Sequence, residues 1–524
     1  MTDRRRRPGA PDVRTAVLDL GSTTFQLLVA DADPEGGLTP ILRDRVVLNL
    51  GLVLANHGRI PQPEAQRAAD TARRLRDVAV RAGADRFVVL ATSALRDSHN
   101  RGELTVLLEE AVGLPVQFID GREEARLTLL GVTASVAVDG GPTLLLDLGG
   151  GSLEVALTDD TGLRWGRSVP VGAGRLTGML AGSDPPTREE RKAVQAAVKE
   201  AVSPFVADIR DFSPARCIAS GGTAGALARL LAARRWAIPP ASLNQYSFPV
   251  ADLRALTRRL DSMTLKQRLQ LPGIDERRAD LLPVGGWVLT TAAATLDVEE
   301  LVHSEWGFRE GAVLDALGIR QDTAPSFTDL RRRSVDRLVR MWGEDPRYLD
   351  LVAAVAETLF DGTRELHGLG VREREWLGHA ARLHTIGSRI SPARLHKHGA
   401  YLVEHGGLRG FSPEEIAILA SVVRFQRGKD PRPVYAPYSG LPAGIKRTCV
   451  VLVGIFRIAH AIARGPEDEG LVVTTKLREK GPRIRVAGSS NPEAVLVEAA
   501  EASGLLERTL EAAIAVETTV SGTS

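Results

Sequence analysis

Cysteine is nearly missing from this sequence. Only Cys217 and Cys449 occur among 524 residues, far apart and without metal-type spacing. That excludes a disulfide framework and fits a reducing compartment. Charge of one sign is also lacking: 67 Lys and Arg face 65 Asp and Glu, a net charge of +2. No global field therefore directs the chain to nucleic acid or to an anionic membrane. The run Arg4-Arg5-Arg6-Arg7 sits in a Pro/Gly-interrupted tail and reads as a solvated arm. It leads into Pro8, Gly9 and Pro11 rather than an apolar segment, so no secretory signal is read. Long apolar runs are absent as well. The best membrane candidate, Cys449 to Ala463, is too short to span and carries Arg457 and His460, which predicts a packed helix. The expectation is a cytoplasmic protein with no membrane and no specific nucleic-acid partner.

What is present is an ordinary globular composition, 44% apolar and 25% charged, long enough for several cores. Residues Thr15 to Ala30 (TAVLDLGSTTFQLLVA) predict a strand, a tight Gly-Ser-Thr turn and a returning strand. Pro63 to Arg81 predicts an amphipathic helix with Ala65, Ala68, Ala72, Leu75 and Val78 on its apolar stripe. A strand from Arg86 to Leu90, a helix around Leu104 to Ala111, a strand from Val116 to Ile119 and a helix opening at Gly121 follow. At Pro142 the pattern begins again: PTLLLDLGGGSLEVALTD is once more strand, Gly-rich turn and strand. A long helix from Thr187 to Asp211, interrupted by Pro204, and a strand into IASGGT complete this half. A strand–turn–strand bearing Asp-x-Gly thus occurs at Asp19 and again at Asp147, an internal duplication of a large unit. Two α/β lobes facing a cleft are expected.

After Gly318 the character changes. QDTAPSFTD reads as a linker, Leu330 to Arg464 as mostly helical, and Gly465 to Gly470 as a charged break. The remainder predicts two strands, LVVTTKLRE and GPRIRVAG, a helix from Pro492 to Ser503 and a frayed TTVSGTS end. The expected boundaries are a tail at 1–13, lobe I at 14–132, lobe II at 133–318, a helical region at 319–465 and a small α/β module at 466–524.

In both Gly-rich loops the missing Cβ lets successive N–H groups point at one anion. Ser22, Thr23 and Thr24 add hydroxyls to the first loop and Ser152 to the second. Asp19 and Asp147 stand beside those donors. A carboxylate facing a phosphate is repulsive unless a cation bridges them, so Mg²⁺ or another divalent cation is implied. A water-activating base could come from Glu123 or Glu124 in FIDGREEARL, although acids in a first helical turn also serve the helix dipole. Arg96 in ATSALRD could clamp a phosphate with its forked donors, or simply pair with Asp97.

These pieces, in this order, resemble the exopolyphosphatase / guanosine pentaphosphate phosphohydrolase family. The matching segments are VLDLGSTTFQLLV, ATSALRD, IDGREEARL, LLDLGGGSLEV, IASGGT and SEWGFREGAVL, covering about residues 14 to 318. The resemblance implies an actin-like, ribonuclease H-like duplicated α/β core with an interlobe cleft, followed by an HD-like helical domain and a small C-terminal α/β module. It implies that Glu124 is the base, and that Asp147 and Glu154 hold metal and water, with Asp19 nearby. Arg96 would contact phosphate. Gly21, Ser22 and Thr23, with Gly149, Gly150, Gly151 and Ser152, would cradle it, and Ser220 and Gly221 would line a third loop. The implied reaction is hydrolysis of terminal phosphate from inorganic polyphosphate, or of the 5′-γ-phosphate of guanosine pentaphosphate, by a homodimer.

The chain departs from the family pattern in places. Thr23 replaces the usual Asn, Gln26 stands where a basic residue is common, and Asn49 stands where Arg is usual. Two lost cations would weaken the grip on a polyanion, which leaves open a sensor that binds a phosphorylated nucleotide without turnover. A kinase on the same fold would usually employ an Asp base. Six of the ten histidines lie between His367 and His405. The stretch ARLHTIG has Thr385 where HD hydrolases need Asp, and His396 and His398 are two apart, so a degenerate HD-like domain without a second metal centre is expected.

Overall fold

The computed structural model describes residues 13–32, 37–136, 141–159, 162–180, 182–319, 327–464, 471–479 and 481–519. The Arg4–Arg7 arm, linker residues 321–326 and the break at 465–470 lie outside them. The chain forms two compact units, residues 1–235 with 243–330 and residues 236–242 with 331–524.

In the first unit the apolar run at Ala16 becomes a fully buried strand because both its faces are covered. Ala16, Leu18 and Leu20 pack into one core and Val17 into another. This strand β1 (Arg14–Leu20) belongs to a sheet with β2 (Thr24–Ala32), β3 (Leu38–Val47), β4 (Arg86–Ala91) and β5 (Gln117–Phe118), in the order β3-β2-β1-β4-β5. The amphipathic helix spans Gln62–Arg81 and buries Ala65, Ala68, Ala72 and Leu75 against that sheet.

A second sheet contains β6 (Thr143–Leu148), β7 (Leu153–Asp159), β8 (Gly162–Val169), β9 (Arg216–Ser220), β10 (Tyr246–Pro249) and β11 (Glu300–His303). Its order is β10-β11-β9-β6-β7-β8. The run β8-β7-β6-β9 repeats β3-β2-β1-β4, with antiparallel hairpins and then a parallel neighbour in each. The duplication is therefore topological, and the core is the actin-like duplicated α/β fold.

Two helices tie the sheets together. Helix α1 (Gly121–Thr133) turns Leu127 and Leu130 to the first sheet and Ala125, Leu129 and Val132 to the second. Helix α2 (Phe308–Ala316) packs on α1 and adds Ala312, Val313 and Leu314 to the core shared with the first sheet. Asp120 starts α1 by accepting a hydrogen bond from the Glu123 N–H at 2.8 Å.

The second unit carries helices at Phe327–Trp342, Pro346–Gly362, Val371–Leu383, Leu395–His405, Pro413–Arg424 and Ala443–Ile462 around one continuous core. Phe327, Thr328 and Asp329, expected as linker, begin the first of these. The candidate span around Cys449 lies in the last, with Cys449, Leu452 and Phe456 fully buried. Among the described residues no helix is long and apolar enough to cross a membrane. A third sheet of β12 (Val472–Arg478), β13 (Gly481–Ala487) and β14 (Ala515–Thr519) closes the unit with a helix at Pro492–Leu510. That helix runs further than expected. Thr518 and Thr519, expected to fray, pair with Val486 and Ala487 instead.

Candidate active site

The β1–β2 and β6–β7 turns are built alike. Gly21 N–H donates to the Thr24 carbonyl at 3.2 Å, and Gly149 N–H to the Ser152 carbonyl at 3.0 Å. The two turns also touch. A Cβ on Gly151 would stand 2.6 Å from Ser22 Oγ and 2.7 Å from Ser93 Oγ, and one on Gly150 would stand 2.6 Å from Thr23 Cβ. Only glycine permits that approach. Ser22 Oγ meets Ser93 Oγ at 2.7 Å and accepts from the Ala94 N–H at 3.1 Å, which holds the first loop.

The loops border a cleft of about 730 Å³ lined by Asp19, Glu124, Asp147 and Glu154. Strand register sets two of these contacts: Asp147 lies opposite Glu154, and Asp19 opposite Gln26. Burial carries the Asp19 carboxyl up to about 7, against the pull of Arg309 and a 3.2 Å hydrogen bond from Gln26 Nε2. Burial, then repulsion from Asp147, carries Glu154 to about 7, although Ser168 Oγ donates to it at 2.8 Å. Asp147 is raised by burial and opposed by Ser220, whose Oγ donates to it at 2.7 Å. Glu124 is pushed well above the usual carboxylate range by burial, then by Glu154 and Asp19, with Arg96 opposing. Its Oε2 is buried without a hydrogen-bond partner. Four acids, Asp19 and Glu154 buried and Glu124 and Asp147 largely so, converge from strands and a helix that are up to 135 positions apart in sequence, Asp19 to Glu154.

The predicted site residues divide accordingly. Gly21, Ser22, Thr23, Gly149, Gly150, Gly151, Ser152 and Gly221 line the cleft with the four acids. Ser220 is fully buried and reaches the cleft only through Asp147. Arg96 lines an adjoining cavity; its Nη1 is 4.0 Å from Glu124 Oε2 and donates to the Ile119 carbonyl at 2.7 Å, while its Nε pairs with Asp97 at 3.0 Å. Among the described residues no three His, Cys, Asp or Glu are arranged to hold a metal ion unaided.

The Ppx/GppA phosphatase family matches residues 28–319, and the family's domain III matches residues 330–498. The chain belongs to the Ppx/GppA phosphatase family. Exopolyphosphatase 1 of Mycobacterium tuberculosis is 31% identical over 335 residues, covering 64% of this chain and 96% of that protein. The crystal structure of an exopolyphosphatase from Cytophaga hutchinsonii covers 59% of this chain and 99% of its own at 26% identity and a TM-score of 0.54. The Aquifex aeolicus family member, at 24% identity and a TM-score of 0.50, covers 58% of this chain and 97% of its own and shares the fold. As a Ppx/GppA phosphatase the chain is a hydrolase acting on phosphoanhydrides.

Several residues of this family member escaped the sequence reading. Arg309, on the first turn of α2, opposes the raised pKa of both Asp19 and Asp147. Burial and the neighbouring Arg45 and Arg309 lower the Arg278 guanidinium to about 10. Their only sequence signal was membership of charged segments (SEWGFREGAVL and DERRAD) with no distinctive spacing. In the second unit the histidines are dispersed apart from one pair, His384 and His460. His367 contacts the Phe360 carbonyl at 3.0 Å, His379 contacts Glu375 at 3.3 Å, and His396 Nδ1 accepts from Arg427 at 3.1 Å. His384 is buried against Tyr348, Phe456 and His460, and burial lowers its pKa to about 3.

Proposed function

We propose that the cleft hydrolyses the terminal phosphoanhydride bond of inorganic polyphosphate, with Glu124 as the base. The observation that carries this reading is the Glu124 carboxylate: buried, raised in pKa, with one oxygen unpartnered beside two touching glycine loops. A base poised above the usual carboxylate range is better matched to water at neutral pH than an ordinary exposed acid. Glu124 accepts a proton from water as the water oxygen bonds to the terminal phosphorus. The bridging P–O bond breaks, and its electron pair leaves with the shortened chain. Loop N–H groups and the Ser22, Thr23 and Ser152 hydroxyls hold the terminal phosphoryl oxygens, and Arg96 helps to keep Glu124 in place.

A divalent cation such as Mg²⁺ suits the donor set, because Asp19, Asp147 and Glu154 are hard oxygen ligands crowded in one cleft, where a cation would favour their ionised forms. Mg²⁺ commonly takes one or two carboxylates and fills its shell with water and phosphate oxygens, so three protein acids in ideal array are not required. When bound, the ion would supply Lewis-acid stabilisation of charge on the phosphoryl oxygens. Guanosine pentaphosphate presents the same terminal anhydride and is the competing substrate.

The test is orthophosphate release from long-chain polyphosphate with Mg²⁺, wild type beside Glu124→Gln. The variant keeps the shape and removes the base, so a rate loss of roughly 10²- to 10⁴-fold is expected. An unaffected variant would remove Glu124 from the mechanism. Release from guanosine pentaphosphate alone would change the substrate, and binding of both compounds without release from either would leave a sensor.

A further inference from the structure

The catalytic cleft adjoins a second cavity of about 500 Å³, and the two meet at Ser93, Gly151 and Ser152. Among the described residues the cleft is lined by six arginines against eight acids, four of which burial draws toward their neutral form. The second cavity is lined by Arg96, Arg122, Arg167 and Arg175 against Asp97 and Asp120 only. Both acids are already engaged, Asp97 with Arg96 at 3.0 Å and Asp120 as the cap of α1. The guanidinium of Arg167 lies 5.3 Å over the Trp165 ring, and Arg175 Nε donates to the Gly151 carbonyl at 3.1 Å. Arg96 links the two cavities, since its other nitrogen stands 4.0 Å from Glu124.

Orthophosphate carries between about one and two negative charges near neutral pH. Formed beside Glu124, it has the guanidinium surplus of the adjoining cavity within reach. Coulomb attraction and forked Arg donors therefore favour the second cavity. We propose that this cavity binds orthophosphate and is the path by which the cleaved phosphate leaves, so that product departs without retracing the substrate's route. This rests on the hydrolase reading above.

The experiment uses the full chain carrying Arg122→Gln and Arg167→Gln. Both residues are exposed, so folding is checked simply by the thermal midpoint. Inorganic phosphate is titrated calorimetrically into resting protein without polyphosphate, which is independent of turnover. Binding by wild type, weakened roughly tenfold or more in the double variant, is expected. Equal binding by both proteins, or none by wild type, overturns the proposal. In a second arm, chain shortening in a single turnover is compared with phosphate appearance in solution, read by a fluorescent phosphate sensor. The cleavage rate should hold while phosphate appearance lags in the variant; release without a lag refutes the exit path. Absence of any chain shortening by wild type would instead refute the hydrolase reading, and the calorimetric arm would still decide whether the cavity binds phosphate.

Discussion

Replacing Gly131 by Ala tests how Glu124 is positioned. Gly131 and Gly311 lie where α1 and α2 cross. A Cβ on Gly131 would overlap the Gly307 carbonyl oxygen and stand 2.8 Å from the Gly311 nitrogen. A Cβ on Gly311 would overlap the Leu127 carbonyl and stand 3.0 Å from the Gly131 nitrogen. These are backbone atoms and cannot rotate aside, so the helices must part by about 1 Å, an overpacking strain of roughly 1–3 kcal/mol. Glu124 sits two turns before Gly131 on α1, and Arg309 opens α2. Asp147 and Glu154 sit on strands that need not follow. A misplacement of about 1 Å between base and substrate costs up to roughly 100-fold in rate. Gly131→Ala should therefore lower kcat about 10- to 100-fold, with a smaller change in KM because the glycine loops stay intact. Phosphate release and a thermal melt of the full chain measure both effects. Gly102→Ala, where an added Cβ meets open space, serves as the control and should be neutral or stabilising by under about 1 kcal/mol. A Gly131→Ala protein with a lowered midpoint but wild-type kcat would refute the positioning argument and leave the crossing as packing alone.

Two further outcomes are expected. Burial raises Asp19 from 3.8 to about 7, so the native state binds this proton more tightly than the unfolded chain. Without divalent cation, stability is then lost as pH rises from about 4 through about 7, amounting to roughly 2–3 kcal/mol between pH 5 and 8 from this group. Urea unfolding in chelator should show that slope, Asp19→Asn should reduce it, and Mg²⁺ should offset it; equal slopes in the two proteins would contradict the assignment. In the second unit, Arg331 is 1% exposed, ion-paired with Glu415 and Glu375 and 4.6 Å over the Phe411 ring. Arg331→Met removes the buried cation of Glu415, leaving it the Trp376 indole and Ser412 N–H hydrogen bonds and the exposed Arg372 at 3.7 Å, and should cost about 3 kcal/mol in urea unfolding, with partial recovery in the double variant carrying Glu415→Gln. No recovery would place the loss in packing rather than charge.

The Asp-x-Gly turns were legible because burial on both faces makes strands such as TAVLDL and PTLLLDL continuously apolar, and a glycine turn must break each. Strand β3 was not read. Its sequence LTPILRDRVV carries Pro40 and three consecutive charged residues, and it sits at the sheet edge, where one side needs no partner. The helix Leu50–His57 was hidden by its start, since Asn49 adopts a left-handed φ of 54° at the cap. That conformation suits Asn better than most side chains. Asn49 itself does not line the cleft, and its left-handed cap gives it a role in the local backbone. The Thr23 carbonyl accepts the Leu48 and Asn49 N–H groups at 2.9 Å each, a backbone role independent of its side chain. Arg309 could not be found by spacing, because it approaches Asp19 and Asp147 only once α2 folds back between the sheets.

Gln26 is different, and the duplication explains why it matters. Register pairs Asp19 with Gln26 in the first sheet and Asp147 with Glu154 in the second, so Gln26 is the topological counterpart of Glu154. An acid at position 26 would add a fifth carboxylate to a site whose four acids already raise one another. A guanidinium there would pair with Asp19 and hold it ionised. The amide does neither: it donates one neutral hydrogen bond at 3.2 Å, which offsets only part of the cost of burial, and Asp19 stays near 7. The charge of the first loop's acid is thus left to Arg309 and to whatever cation the substrate brings. Losing a basic residue at 26 therefore bears first on the ionisation of Asp19 and on cation dependence, and only secondarily on attraction for the polyanion.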